Sequence, residues 1–148
     1  MAKYGVSILK KFLLLLLLGS SLLFSSDLKT EEKIYKLIIH TLLPQKEVIK
    51  AWSDTTHNKE VLNTIPNVIL VNSPQKADFL LLNNNKVSNP KALIFVTNFK
   101  LLGKTQNSAL GGFFWQKGRP NILFLRKNLQ KHNITLPQSM QEFIEDDL

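Results

Sequence analysis

The sequence predicts a single small α/β domain: a mixed sheet of about five to six strands with flanking helices, ending in a β-hairpin and a helix. Three observations carry this. The runs "VILVN", "FLLLN" and "ALIFVTN" (68–72, 79–83 and 92–98) are short and almost wholly apolar, as strands covered on both faces are. They are separated by short polar connections rich in Pro, Asn and Ser, with room for crossovers but not for a second domain. Near the C-terminus, "GGFFWQKGRPNILFL" holds two strand-like segments around a Gly- and Pro-marked turn.

The elements follow in order. Lys3, Lys10 and Lys11 precede an unbroken apolar run from Phe12 to Leu18, extended by Leu22 to Phe24. From Phe12 to Phe24 there are thirteen residues, short of the roughly 20 that cross a bilayer. Residues 1–26 therefore read as a signal peptide, residues 27–148 as the domain, and the expected location is periplasmic. Cleavage after Ser25 or Ser26 puts a small residue at the cut, but Leu23 or Phe24 then stands three positions earlier. An uncleaved membrane anchor is the alternative. The chain has no cysteine, which excludes disulfides, thiol chemistry and lipid attachment through cysteine.

Thr30-Glu31-Glu32 reads as a helix start, with a capping hydroxyl and acids at the positive end. Ile34, Leu37, Ile38, Thr41 and Leu42 recur at helical spacing up to Pro44. "VIKAWS" (48–53) is the first strand, "DTTHN" a loop, and 59–65 at most a short helix. Ser73-Pro74 opens one helical turn. After the fourth strand comes a polar connection, 99–111, with room for one helical turn. The hairpin strands are 112–116 and 121–125, with Lys117 to Pro120 as the turn. A short basic helix at 127–132 precedes a last helix opened by Pro137, its Met140, Phe143 and Ile144 facing the core.

Charge narrows the function classes. The net charge is +8, and removal of Lys3, Lys10 and Lys11 lowers it by three to +5. Nine Lys and Arg and no acid lie between Phe79 and Gln141. That pattern fits an anionic partner or a Lys- and Asn-rich composition with a solvated surface. Export and the lack of any RNA- or DNA-binding signature argue against nucleic acid. No nucleophile elbow, phosphate loop or dinucleotide fingerprint occurs. His40, His57 and His132 share no metal-ligand spacing. The reading is of a protein that is not an enzyme and has no metal or cofactor.

Two constellations remain. Phe113, Phe114, Trp115, Lys117 and Arg119 combine the residue types that dominate interface hot spots. They form the candidate partner-binding site, or the aromatics fill the core and only the turn is solvated. Trp52 and Asp54, at the end of the first strand, are the candidate ligand-binding pair, since strand C-termini line the crevice of open α/β sheets. Asp78 falls at the opposite end of its strand, too far away to act with Asp54. Gly111-Gly112 suits an unusual backbone at a strand start.

The C-terminal half, "ALIFVTNF", a glycine pair, "GGFFWQKGRPNILFLRKNL" and "ITLPQSM", resembles the YfiR-like family of exported regulators that restrain membrane diguanylate cyclases. Gly111 and Gly112 match that family's glycine pair. Phe114 to Gln116 replace its Ile-Asn-Phe segment, and Leu123-Phe124, Asn128-Leu129 and Ile134 to Leu136 fill later positions. The resemblance covers about residues 92 to 144. Leu43-Pro44 stands where the family has Trp-Pro, and the family's cysteines are missing. The resemblance implies a compact α/β fold, a membrane-anchored signalling protein as partner, a homodimer, and a regulatory role in cyclic di-GMP signalling. The alternative is a periplasmic small-molecule-binding or sensory domain.

Overall fold

The computed structural model describes residues 27–148, so the proposed signal peptide at 1–26 lies outside the described residues. The domain is α/β, built on one mixed sheet. Its first helix, α1, covers 27–42 among the described residues. Thr30 lies inside it and is not its cap, because Asp27, Leu28 and Lys29 are already helical. The buried stripe is Tyr35, Ile38, Ile39 and Leu42, whereas Leu37 is exposed. The expected stripe is therefore rotated by part of a turn, which brings Tyr35 inward.

Next come β1 (Ile49–Ser53), α2 (Thr56–Thr64) and β2 (Val68–Leu70). A 3-10 turn (Pro74–Lys76) leads to β3 (Phe79–Leu82) and β4 (Leu93–Val96), and α3 (Phe99–Thr105) follows. Then come β5 (Ala109–Gln116), β6 (Arg119–Leu125), α4 (Arg126–Lys131), a second 3-10 segment (Gln138–Phe143) and β7 (Ile144–Glu145). The sheet has seven strands in the order β2-β1-β3-β4-β5-β6-β7. The first five in that order are parallel, β6 is antiparallel to β5, and β7 is parallel to β6. The extra strand is made from Ile144 and Glu145, which the sequence assigns to a final helix. The segment before it is a 3-10 helix rather than an α-helix.

Continuous burial of the central strands matches their apolar runs. Phe79, Leu81, Leu93 and Phe95 face one core with α1 and α2, while Leu80, Leu82, Ile94 and Val96 face a second core with α3. α2 starts earlier than its composition suggests because the Thr55 hydroxyl accepts the Asn58 N–H at 3.3 Å and caps it.

The glycine pair owes its place to close approach. A Cβ on Gly111 would lie 2.1 Å from the Leu123 carbonyl oxygen, and neither glycine has positive φ. The expected unusual backbone is absent there. A register shift between Ile94 and Phe95 accompanies it, so that Phe95 pairs with Gly111 and Val96 with Gly112. The turn that follows is shorter than expected. Only Lys117 (φ 50) and Gly118 (φ 73) lie between β5 and β6. Both left-handed residues fit the twist of a two-residue hairpin. Pro120 is accordingly inside β6, opposite Trp115. The bonded pairs of such a ladder alternate, so the position next to the closing Gln116–Arg119 pair turns its nitrogen outward and the missing N–H is harmless.

Candidate ligand-binding site at the carboxyl ends of the parallel strands

The strand order reverses direction between β1 and β3, and in open α/β sheets the carboxyl ends beside such a reversal form a crevice. The last β4 partner of β5 is Gly112, so Phe113 to Gln116, paired only with β6, run on past β4. This overhang packs against α1. The rings of Tyr35 and Phe113 meet edge-on at 5.4 Å, and Phe113 and Trp115 at 5.9 Å. Between the overhang and the strand ends lies a cavity of about 250 Å³. Helix α1 contributes Glu31 and Tyr35, and the β1–α2 junction contributes Thr55, His57 and Asn58. The ends of β3 and β4 add Asn83 and Thr97, and β5 supplies Phe113, Phe114 and Trp115. An adjoining hollow of about 400 Å³ shares Glu31, His57 and Trp115 and adds Asp27, Leu28 and Gly118.

Glu31 is the hub. It is buried, its Oε2 is 2.6 Å from Nε2 of His57, and its Oε1 accepts the Trp115 indole N–H at 3.0 Å. With a carboxylate as acceptor, Nε2 of His57 carries the proton. The imidazole sits in the first turn of α2, where the helix end favours an anion. These contacts join α1, α2 and the hairpin. A chain of side-chain hydrogen bonds crosses the cavity floor. The Asn58 amide donates to Thr97 Oγ1 at 3.3 Å, and the Thr97 hydroxyl donates to Asn83 Oδ1 at 2.9 Å.

Tyr35 is almost fully buried. Burial first, and the Glu31 charge second, raise its pKa far above the ordinary phenol value, so it stays neutral. Its hydroxyl makes no hydrogen bond to the described residues, and the same holds for Asn58 Oδ1. Both residues line the cavity.

The two predicted constellations fare differently. Phe113 and Phe114 are 1% and 7% exposed and sit in the two opposite cores, so their assignment to a partner-binding surface is corrected: strand alternation sends each into a core. Trp115 is 39% exposed, and Lys117 and Arg119 are exposed beside an open hollow at the hairpin tip. Trp52 and Asp54 lie at the expected end of β1 but do not line the cavity. Trp52 packs against the α3-side core, with the Lys59 ammonium 5.8 Å from its ring centre. Asp54 accepts the backbone N–H groups of Asn83, Asn84 and Asn85 at 2.8, 2.7 and 2.8 Å. Three of its roughly four acceptor sites tie β1 to the loop after β3, so its carboxylate is mainly structural here, and it does not line the cavity.

Sequence reasoning passes over Glu31, Tyr35, His57, Asn58, Asn83 and Thr97 as site residues. The local signals were the capping pattern Thr55-x-x-Asn58 and the polar residues that end the apolar runs. No local signal could bring Glu31 to Trp115, which are 84 positions apart.

Among the described residues no group of three His, Cys, Asp or Glu could hold a metal ion, and no helix is long and apolar enough to cross a membrane. No family model matches the chain, and neither a curated protein nor a solved structure is significantly similar to it.

Proposed function

We propose that this protein is a small-molecule-binding domain of sensory type, exported to the periplasm, with its ligand held at the carboxyl ends of the parallel strands. The observation that carries this reading is the cavity between the β5 overhang and α1, walled by aromatic rings and lined by the Tyr35 hydroxyl and Asn58 Oδ1, two groups with no hydrogen-bond partner among the described residues. Ligand sites of this kind are concave, largely apolar and furnished with a few fixed polar groups. The test is a fragment screen on isotope-labelled protein, followed by amide and indole N–H shifts. Ligands should perturb Trp115, His57 and Asn58 together. Shifts confined to the hairpin tip, or none at millimolar ligand, would refute the site.

The second reading is regulation by contact with a membrane-anchored signalling protein in cyclic di-GMP signalling, as the YfiR-like resemblance implies. The exposed Trp115, Lys117 and Arg119 at the hairpin tip favour it, now without Phe113 and Phe114. The two readings are compatible, since Trp115 walls the cavity and lies next to the tip. Export rests on Lys10-Lys11 and the apolar run after them. A fusion of residues 1–40 to a reporter active only in the periplasm should be active, and cytoplasmic retention of the whole protein would remove export from the proposal.

A further inference from the structure

We infer that the cavity takes a compact organic ammonium ion, an inference that rests on reading the cavity as a ligand site. The charge of its lining is the first argument. The chain has 19 Lys and Arg, yet none of them lines either the cavity or the adjoining hollow among the described residues. With His57 counted as neutral, the formal charges there are Glu31 and, in the hollow, Asp27, and His57 lies 2.6 Å from Glu31 in both linings. Among the described residues the lining holds a buried carboxylate and no Lys or Arg, and Lys117 and Arg119, which flank Gly118 of the hollow, line a separate hollow at the hairpin tip.

The wall is the second argument. Tyr35, Phe113, Phe114 and Trp115 all line the same cavity. Ring faces attract a cation within about 6 Å, and cages of such rings recognise ammonium groups. Glu31 accepts one hydrogen bond at each oxygen, and a carboxylate has roughly four lone-pair sites. It can therefore meet a bound cation without releasing His57 or Trp115. The Tyr35 hydroxyl and Asn58 Oδ1, without hydrogen-bond partners among the described residues, supply further oxygens that can face an N–H or O–H of the ligand.

The competing classes fit less well. An anion would lie beside Glu31 with no Lys or Arg to balance it. A hard metal ion wants six or more oxygen ligands and favours several anionic ones, whereas the lining offers a single carboxylate, already bonded to His57 and Trp115, with neutral hydroxyl and amide groups and aromatic rings. A wholly apolar ligand would leave the Tyr35 and Asn58 groups without partners, which is costly in a buried site. The volume, about 250 Å³, falls just under the range of about 300–1,000 Å³ that suits drug-sized ligands, so the ion is small.

The test uses two probes of nearly the same shape: choline, and 3,3-dimethylbutan-1-ol, its neutral carbon analogue. Trimethylacetate is the anionic control and ethylammonium the primary amine. Binding to the purified protein is read from the Trp115 indole N–H signal, assigned with a Trp52→Phe variant. Choline or ethylammonium should shift that signal saturably, with choline at least about tenfold tighter than the alcohol, the factor that a partly desolvated cation–ring contact supplies. Glu31→Gln preserves the shape and an acceptor for Trp115, and should erase most of that preference. Its melting temperature is measured alongside, and the probe comparison in the unmodified protein does not depend on it. Equal or tighter binding of the alcohol or of trimethylacetate would overturn the ammonium assignment and leave the cavity as a ligand site. Failure of both ammonium probes to shift Trp115 would also overturn it, while the fragment screen separately decides whether the cavity binds anything.

Discussion

Truncating the hairpin aromatics one at a time separates core from surface. Phe113 is 1% exposed and lies between Tyr35 and Trp115. Burying an aromatic side chain removes about 150–250 Å² from water, which at about 25 cal/mol per Å² gives roughly 4–6 kcal/mol as an upper bound. Measured Phe→Ala losses of about 3–5 kcal/mol are the safer guide. Phe113→Ala should fall at the top of that range, since its neighbours are held by the sheet and α1 and the gap opens beside an existing cavity. Phe114→Ala should fall nearer the bottom. Phe114 packs at 5.3 Å against the ring of Phe99, which is half exposed and free to close over the gap. Trp115→Ala should cost less than either, because much of its ring is solvated, though it also leaves Glu31 Oε1 without its donor. The assay is urea unfolding followed by far-ultraviolet circular dichroism, comparing midpoints at equal slopes. Unchanged midpoints for Phe113→Ala and Phe114→Ala would show that the overhang is not packed as described. A larger loss for Trp115→Ala than for Phe113→Ala would reverse the order of burial and refute the same reasoning.

Three further outcomes are expected. Gly111→Ala should cost about 3 kcal/mol or more, since backbone must move to relieve the contact with the Leu123 carbonyl, whereas Gly118→Ala should cost only about 1–2 kcal/mol for its left-handed φ in open space. Equal midpoint shifts in urea would contradict this. Asp54→Ala should lower stability by about 1–3 kcal/mol, because three N–H groups lose their acceptor. It should leave the affinity of any cavity ligand per folded molecule unchanged, and a selective loss of binding would return Asp54 to the site. Partial burial raises the Asp78 pKa, but the Lys46 bond, the Lys50 N–H and the two lysine charges outweigh it and hold the pKa below 3.8. A lowered native pKa stabilises the fold above the ordinary carboxylate range, and this is lost as pH falls through the native value. Asp78→Asn should therefore be less stable than the parent near neutrality, by under about 1 kcal/mol for an exposed pair, and the gap should close in thermal melts as pH falls through the lowered native value.

Some of the site could be read locally and some could not. The strand end at Ser53 was legible, but residues 54–58 read as a loop and the Thr55 cap was missed, so the polar corner at the carboxyl end of β1 was legible only in part. The choice of Trp52 and Asp54 within that corner was not. Strand alternation puts Trp52 on the α3 face, and the fate of Asp54 depends on three N–H groups from a loop about thirty positions away. The alternation of Phe113 and Phe114 was legible as well. Their joint burial was not, since it needed both a helix on one face and Phe99 on the other.

By itself the sequence determined the α/β class, the buried central strands and the hairpin. These follow from hydrophobic runs, turn residues and caps, which act over a few neighbouring positions. Only the tertiary structure decided the strand order, the seventh strand and the cavity. Glu31, His57 and Trp115 come from α1, α2 and β5, and they meet only because β5 runs past β4 and leans on α1. Strand pairing and helix rotation set that meeting. They depend on how whole faces pack together, which residue order along the chain does not show.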